Sequence, residues 1–96
     1  MINVIATLKV APGKEAEFEA AASALAAKVN ANEPGCSLYQ LSRSKADPQT
    51  YVFMESYADK DALTAHGKTD YFLAAQAPIG ACLAAAPDIQ VYIPVD

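Results

Sequence analysis

Residues 36–57, CSLYQLSRSKADPQTYVFMESY, hold the pattern that decides the fold. The segments from Cys36 to Arg43 and from Thr50 to Tyr57 alternate side chains with a period of two, which predicts β-strands. A short polar turn containing Asp47-Pro48 separates them, and so short a connection predicts an antiparallel hairpin. One face of the second strand carries an unusual mixture of aromatic and acidic side chains: Tyr51, Phe53, Glu55 and Tyr57.

The sequence before the hairpin predicts a strand and a long helix. Alternating residues from Ile2 to Val10 indicate the strand, and Ala11-Pro12-Gly13 ends it because proline lacks a ladder donor. From Lys14 to Asn32, apolar residues recur at steps of three and four, which predicts one helix with a single apolar stripe. The turn Glu33-Pro34-Gly35 then leads into the hairpin.

The sequence after the hairpin predicts two helices and a final strand. Asp59 can cap a short helix that runs to about His66, and Thr69 or Asp70 can cap the next helix. Alternation from Ile89 to Val95 predicts the last strand. The order is that of a ferredoxin-like βαββαβ fold of the α+β class, in which residues 1–96 form one domain.

Several predicted strands are apolar on both faces. Helices can cover only one face of a four-stranded sheet, so the other face needs a partner. The exposed set is either Tyr51, Phe53 and Tyr57 or Val52 and Met54. We therefore expect a homodimer in which two sheets pack face to face about a two-fold axis, giving a dimeric α/β barrel.

Composition excludes several other classes of partner. The 96 residues include 11 acidic and 7 basic side chains, for a net charge of −4. This balance argues against binding to nucleic acid and to anionic membranes. One histidine and two distant cysteines argue against a metal site. The N-terminus lacks the pattern of a signal peptide, so we expect a cytoplasmic protein with reduced thiols.

Two residues are candidates for acid–base chemistry. His66 is the single histidine, and a neutral imidazole accepts protons near neutral pH. Glu55 stands on a mostly apolar strand face and therefore needs a partner; it could orient His66 or accept a proton from a substrate. Structural roles in packing or pairing are the alternative for both. Six further side chains could line a pocket for a planar ligand: Tyr39, Tyr51, Tyr57, Tyr71, Phe72 and Asn3. Packing in the core or an ordinary structural role is the alternative for each of them.

The chain resembles the antibiotic biosynthesis monooxygenase family of dimeric α/β-barrel proteins. The resemblance rests on an ordered set of motifs: Pro12-Gly13-Lys14 before Phe18, Glu33-Pro34-Gly35-Cys36 before Tyr39, Tyr51 to Glu55 before Tyr57, Ala62 to His66, and Tyr71-Phe72. The resemblance implies that this protein is an oxygenase that uses neither metal nor flavin and that deprotonates an electron-rich phenol or quinol. Haem-degrading members are similar in outline, but the positions that matter to them hold Ala6, His66 and Gln76 here, which argues against haem.

The first functional hypothesis is a cofactor-independent monooxygenase that acts on a quinol or polycyclic phenol with O2. His66 and Glu55 would carry the chemistry, and no metal, haem or flavin is expected. Two alternatives stay open. One is an isomerase that enolises a small ketone through the same two residues, and the other is a non-enzymatic dimer that binds a small ligand.

Overall fold

A computed structural model describes residues 1–95 and has the predicted order of elements. The elements are β1 (Ile2–Lys9), α1 (Glu15–Asn32), β2 (Cys36–Arg43), β3 (Thr50–Tyr57), α2 (Lys60–His66), α3 (Asp70–Gly80) and β4 (Asp88–Tyr92). None of the helices within residues 1–95 has the length and apolar character needed to cross a bilayer.

The four strands form one antiparallel sheet in the order β2-β3-β1-β4. The hairpin of β2 and β3 is confirmed, and β1 pairs with β3 along its whole length, from Ile2 opposite Tyr57 to Lys9 opposite Thr50. The two edge strands are β2 and β4. This order is that of the ferredoxin-like fold predicted from the sequence.

The helices cover the sheet face that carries Tyr51, Phe53 and Tyr57, the aromatic set of β3. Phe18 and Leu25 of α1 are buried in the same cluster as Tyr51 and Phe53, and the rings of Phe18 and Tyr51 lie 4.7 Å apart. The side chain of Asp59 accepts a hydrogen bond from the Ala62 amide and so caps α2, as predicted. The helices α2 and α3 lie over the same face, where His66 of α2 and Ile79 of α3 border a gap together with Phe53 of β3.

The opposite face of the sheet is uncovered in a single chain. Because the aromatic set points toward the helices, this outer face carries the alternative set, Val52 and Met54. Leu38 and Tyr92 share it, and the exposed fractions of Leu38, Met54 and Tyr92 are 40%, 39% and 51%.

The last strand is shorter than the sequence predicts. The alternation continues to Val95, but β4 ends at Tyr92, whose partner is Asn3 near the start of β1. Beyond that pair β1 has almost no residues left to pair with, and Pro94 has no amide hydrogen to donate. The apolar side chains of Ile93 and Val95 are exposed, as are those of Ile89 and Val91 within β4.

Candidate active site

A cavity of about 350 Å³ lies between the sheet and the two short helices. Its floor comes from all four strands, and its roof from α2 and α3. Most of the lining is apolar, including Ala6, Phe53, Phe72 and Ile79. The volume falls within the range of sites that bind small molecules, and walls of this kind favour an apolar, ring-containing ligand.

Two polar side chains are buried within residues 1–95, and both line this cavity. They are Glu55, at 7% exposure, and His66, at 4%. Burying a titratable group is costly unless it is paired. Both residues are candidates for acid–base chemistry from the sequence, and the structure brings them to one cavity.

His66 sits at the end of α2 inside a cage of aromatic rings. Its ring centroid lies 4.7 Å from that of Phe72, 5.1 Å from that of Tyr39 and 5.5 Å from that of Tyr57. Its Nδ1 atom lies 3.1 and 3.2 Å from the two carboxylate oxygens of Glu33. Every buried side-chain nitrogen or oxygen within residues 1–95 has a hydrogen-bond partner. The Nε2 atom of His66 makes no hydrogen bond there, so it is accessible, and the open space that it borders is the cavity.

Glu33 is the site residue that sequence reasoning missed. Glu55 was the residue expected to orient His66, but the contact belongs to Glu33. This residue follows α1 directly, and its side chain is 12% exposed. A signal was present in the sequence. A carboxylate just after the C-terminus of a helix is disfavoured by the helix dipole, so this position calls for a compensating donor elsewhere.

Glu55 reaches the cavity from β3. Its Oε1 atom accepts a hydrogen bond of 2.6 Å from the Tyr57 hydroxyl. Burial, with a smaller effect from the nearby charge of Glu33, raises the pKa of the Glu55 carboxyl to about 7 against the opposing effect of the Tyr57 hydrogen bond. Near neutral pH this carboxyl can therefore either accept or donate a proton.

Two tyrosines around the site donate hydrogen bonds to carboxylates, Tyr57 to Glu55 and Tyr71 to Glu33. Burial, followed by the effect of neighbouring carboxylates, raises the pKa of Tyr39 and of Tyr57 well above the usual range. Burial and the hydrogen bond to Glu33 raise the pKa of Tyr71 to about 12. These hydroxyls keep their protons at neutral pH, so His66 and Glu55 remain as the candidate proton acceptors.

The structure brings only part of the predicted ligand-binding set to the cavity. Tyr39 and Phe72 line it directly, and Tyr57 acts on it through Glu55. The hydroxyl of Tyr51 instead donates to Glu19 at 2.5 Å, at the far end of β3. Tyr71 lies behind His66 and donates to Glu33, also at 2.5 Å.

Asn3 is placed away from the cavity altogether. Its side chain points to the outer face of the sheet, where its Oδ1 accepts a hydrogen bond from the Ser56 hydroxyl at 2.7 Å. The period of two explains the placement, because Val4 next to it faces the helices.

Within residues 1–95 there is no cluster of three or more histidine, cysteine or acidic side chains that could hold a metal ion.

Comparison with solved structures finds the same fold in proteins of several bacteria. A candidate antibiotic biosynthesis monooxygenase from Caulobacter crescentus is 55% identical, with a TM-score of 0.95 over 99% of this chain and 90% of that one. The protein Rv0793 from Mycobacterium tuberculosis is 26% identical, with a TM-score of 0.91 over 99% of this chain and 95% of that one.

Sequence comparison agrees with the structural one. An uncharacterised protein from Synechocystis is 31% identical over 71 residues, which are 74% of this chain and 48% of that protein. The chain thus spans about half the length of this curated relative. The sequence model of the antibiotic biosynthesis monooxygenases matches residues 1–78, which include His66, Glu55 and Glu33. The chain therefore belongs to the antibiotic biosynthesis monooxygenase family.

Proposed function

We propose that this protein is a cofactor-independent monooxygenase that oxidises a quinol or a polycyclic phenol. One observation carries the proposal: the two buried polar side chains, Glu55 and His66, border the same apolar cavity. An apolar cavity accommodates aromatic rings, and two proton acceptors inside it can ionise a phenolic hydroxyl.

The chemistry follows from deprotonation of the substrate. His66 Nε2 takes a proton from a ring hydroxyl, and the Tyr39 hydroxyl donates a hydrogen bond to the phenolate that forms. The electron-rich anion passes electrons to O2. One oxygen atom enters a ring C–H bond, and the other leaves as water. Quinol and O2 thus give a hydroxyquinone and water, so the substrate supplies all the electrons and no external reductant is needed.

The experiment measures oxygen consumption with a dihydroxynaphthalene, corrected for autoxidation without protein. His66→Gln should lower the corrected rate by about 10²-fold or more, the usual scale for loss of a general base. Thr64→Ala changes an exposed residue of the same helix and should keep the full rate. Full activity in His66→Gln, or no corrected oxygen consumption by the unaltered protein, would contradict the proposal.

A second function is favoured by the properties of Glu55. A carboxyl with a pKa of about 7 in the same cavity as His66 can move a proton between carbon and oxygen. That is the chemistry of an isomerase that enolises a small ketone. The two functions differ in their need for oxygen: product formed at the same rate under anaerobic conditions would favour the isomerase.

We also propose that the working form is a homodimer joined through the outer faces of the sheets. That face presents Leu38, Met54 and Tyr92 to solvent in the single chain. A second copy offers a matching surface of the same shape, which a two-fold axis would bring into register. The helices and the cavity lie on the opposite side of each sheet and would stay accessible to substrate.

A further inference from the structure

His66 has a different environment at each of its two ring nitrogens. Nδ1 faces the Glu33 carboxylate at 3.1 and 3.2 Å, while Nε2 borders the cavity. Glu33 does not line the cavity. It borders a separate surface pocket on the other side of His66, together with Tyr71 and Thr69.

Glu33 is itself held in place from several directions. The Tyr71 hydroxyl donates to its Oε2 atom at 2.5 Å, and its backbone amide donates to the Val29 carbonyl at 3.0 Å. The turn that carries it packs tightly on α2, since a Cβ added at Gly35 would lie 2.9 Å from the Ala62 Cβ. The carboxylate therefore has little freedom to move away from the imidazole.

The position of this carboxylate also argues for a purpose other than helix stability. An anion next to the C-terminus of α1 opposes the helix dipole. The donors His66 and Tyr71 offset that cost, and both belong to the α2–α3 region that roofs the cavity.

We propose that Glu33 and Tyr71 are a positioning pair for His66, in which the Glu33 carboxylate holds the imidazole as its Nδ1–H tautomer and leaves Nε2 as the proton-accepting atom. An ionised carboxylate only accepts hydrogen bonds, so the proton of a neutral imidazole must lie on the nitrogen that faces it. The same carboxylate stabilises the imidazolium that forms when Nε2 takes a proton. Tyr71 keeps the carboxylate at the distance and angle that this requires. The inference rests on the proposed function for its consequences on rate, but the tautomer is a property of the protein alone.

The first test needs no substrate and no variant. Because His66 is the single histidine, a long-range ¹H–¹⁵N correlation spectrum of the labelled protein contains one imidazole. At alkaline pH, where the ring is neutral, Nδ1 should carry the proton and Nε2 should be bare. A spectrum with the proton on Nε2 overturns the proposal, whatever the activity of the protein.

The second test replaces the carboxylate by an amide of the same shape. In Glu33→Gln the amide can donate to Nδ1, so the proton should shift toward Nε2, and the wrong tautomer should lower kcat by about 10²-fold or more with little change in KM. Tyr71→Phe should keep the Nδ1–H tautomer and lower kcat less. An unchanged tautomer in a folded Glu33→Gln protein overturns the proposal, and should that variant not fold, the spectrum of the unaltered protein still decides.

A matched control comes from the tyrosine–glutamate pair of Tyr51 and Glu19, which lies outside the site. Glu19 accepts a hydrogen bond from Tyr51 at 2.5 Å, the same distance as in the Tyr71–Glu33 pair, but far from the cavity. Glu19→Gln should leave both the tautomer and kcat unchanged, and an equal effect in both variants would overturn the assignment. The Nδ1–H tautomer in a protein that consumes no oxygen would instead reject the proposed function and retain this inference.

Discussion

Glu55 is the residue whose titration should dominate the pH dependence of stability. Its pKa is raised from 4.5 to about 7 in the folded chain, chiefly because the carboxyl is buried. Between these values the folded state binds more protons than the unfolded state, so its contribution to stability is full below pH 4.5 and is lost as the pH rises through 7. We expect a loss of about 3 kcal/mol in the free energy of unfolding over that interval.

Urea unfolding at a series of pH values and one protein concentration measures this effect. Glu55→Gln cannot ionise, so subtracting its pH profile isolates the contribution of Glu55 from those of the exposed carboxylates. Parallel profiles for the two proteins between pH 4.5 and 8 would show that the carboxyl titrates as it does in water.

Gly35 is the residue that allows α2 to approach the turn after α1. An added Cβ would lie 2.9 Å from the Ala62 Cβ, so Gly35→Ala should push α2 outward and lower the free energy of unfolding by about 1–3 kcal/mol. Gly80→Ala is the control, since a Cβ there meets no atom within 4 Å and alanine favours a helix. Chemical denaturation compares the two, and equal stabilities would mean that the contact at Gly35 relaxes without cost.

Individual site residues differed in how far the sequence could predict them. His66 and Glu55 stood out because a sole histidine and an acid on an apolar strand face are unusual by themselves. Glu33 did not, because its role depends on how the turn after α1 meets α2, a contact between segments 33 residues apart. Tyr51 and Tyr71 have the same side chain as Tyr39, and only the tertiary fold decides which hydroxyl reaches the cavity.

Among the elements, α2 and α3 are linked through Thr69, whose side chain forms a hydrogen bond with each helix. The Thr69 hydroxyl accepts from the Phe72 amide at 3.3 Å and donates to the His66 carbonyl at 2.9 Å. Thr69→Ala removes the cap of α3 and should lower the free energy of unfolding by about 1 kcal/mol. Thr64→Ala, on the exposed side of α2, should be neutral or slightly stabilising. Thermal unfolding followed by circular dichroism compares them, and an equal Tm in both variants would show that the cap contributes nothing.

Most elements were predictable because their signals are local. The apolar period of α1 and the Asp59 cap of α2 each depend on residues within a few positions along the chain. The end of β4 is different, since alternation predicts a strand to Val95 whereas pairing stops at Tyr92. The length of β1, which lies more than 80 residues earlier, sets that limit.

At the scale of the whole molecule, the two faces of the sheet have separate roles. The inner face, under the helices, buries the aromatic set of β3 and forms the cavity. The outer face has no layer above it in the single chain, although Met54 and Leu38 are apolar. The sequence predicted one uncovered face but could not say which residues it carries. The packing of Phe18 against Tyr51 decides this, since it turns the aromatic set inward.

If the protein dimerises through its outer sheet face, a charge placed on that face should dissociate the dimer, whereas a charge placed on the helical layer should not. Met54→Lys places a charge at the centre of the outer sheet face, where desolvating it against a second sheet would be costly. Sedimentation velocity should find the unaltered protein at twice the 10.1 kDa chain mass and Met54→Lys shifted toward the monomer. Leu73→Lys is the matched control, because Leu73 is also exposed, at 58%, but lies on α3 in the helical layer. We expect the dimer to bury more than about 1,500 Å² in total, as persistent dimers commonly do. Met54 is 39% exposed in the single chain, so its substitution should weaken the contact without unfolding the chain. A monomer at every concentration of the unaltered protein would contradict the prediction, as would dissociation caused equally by both variants.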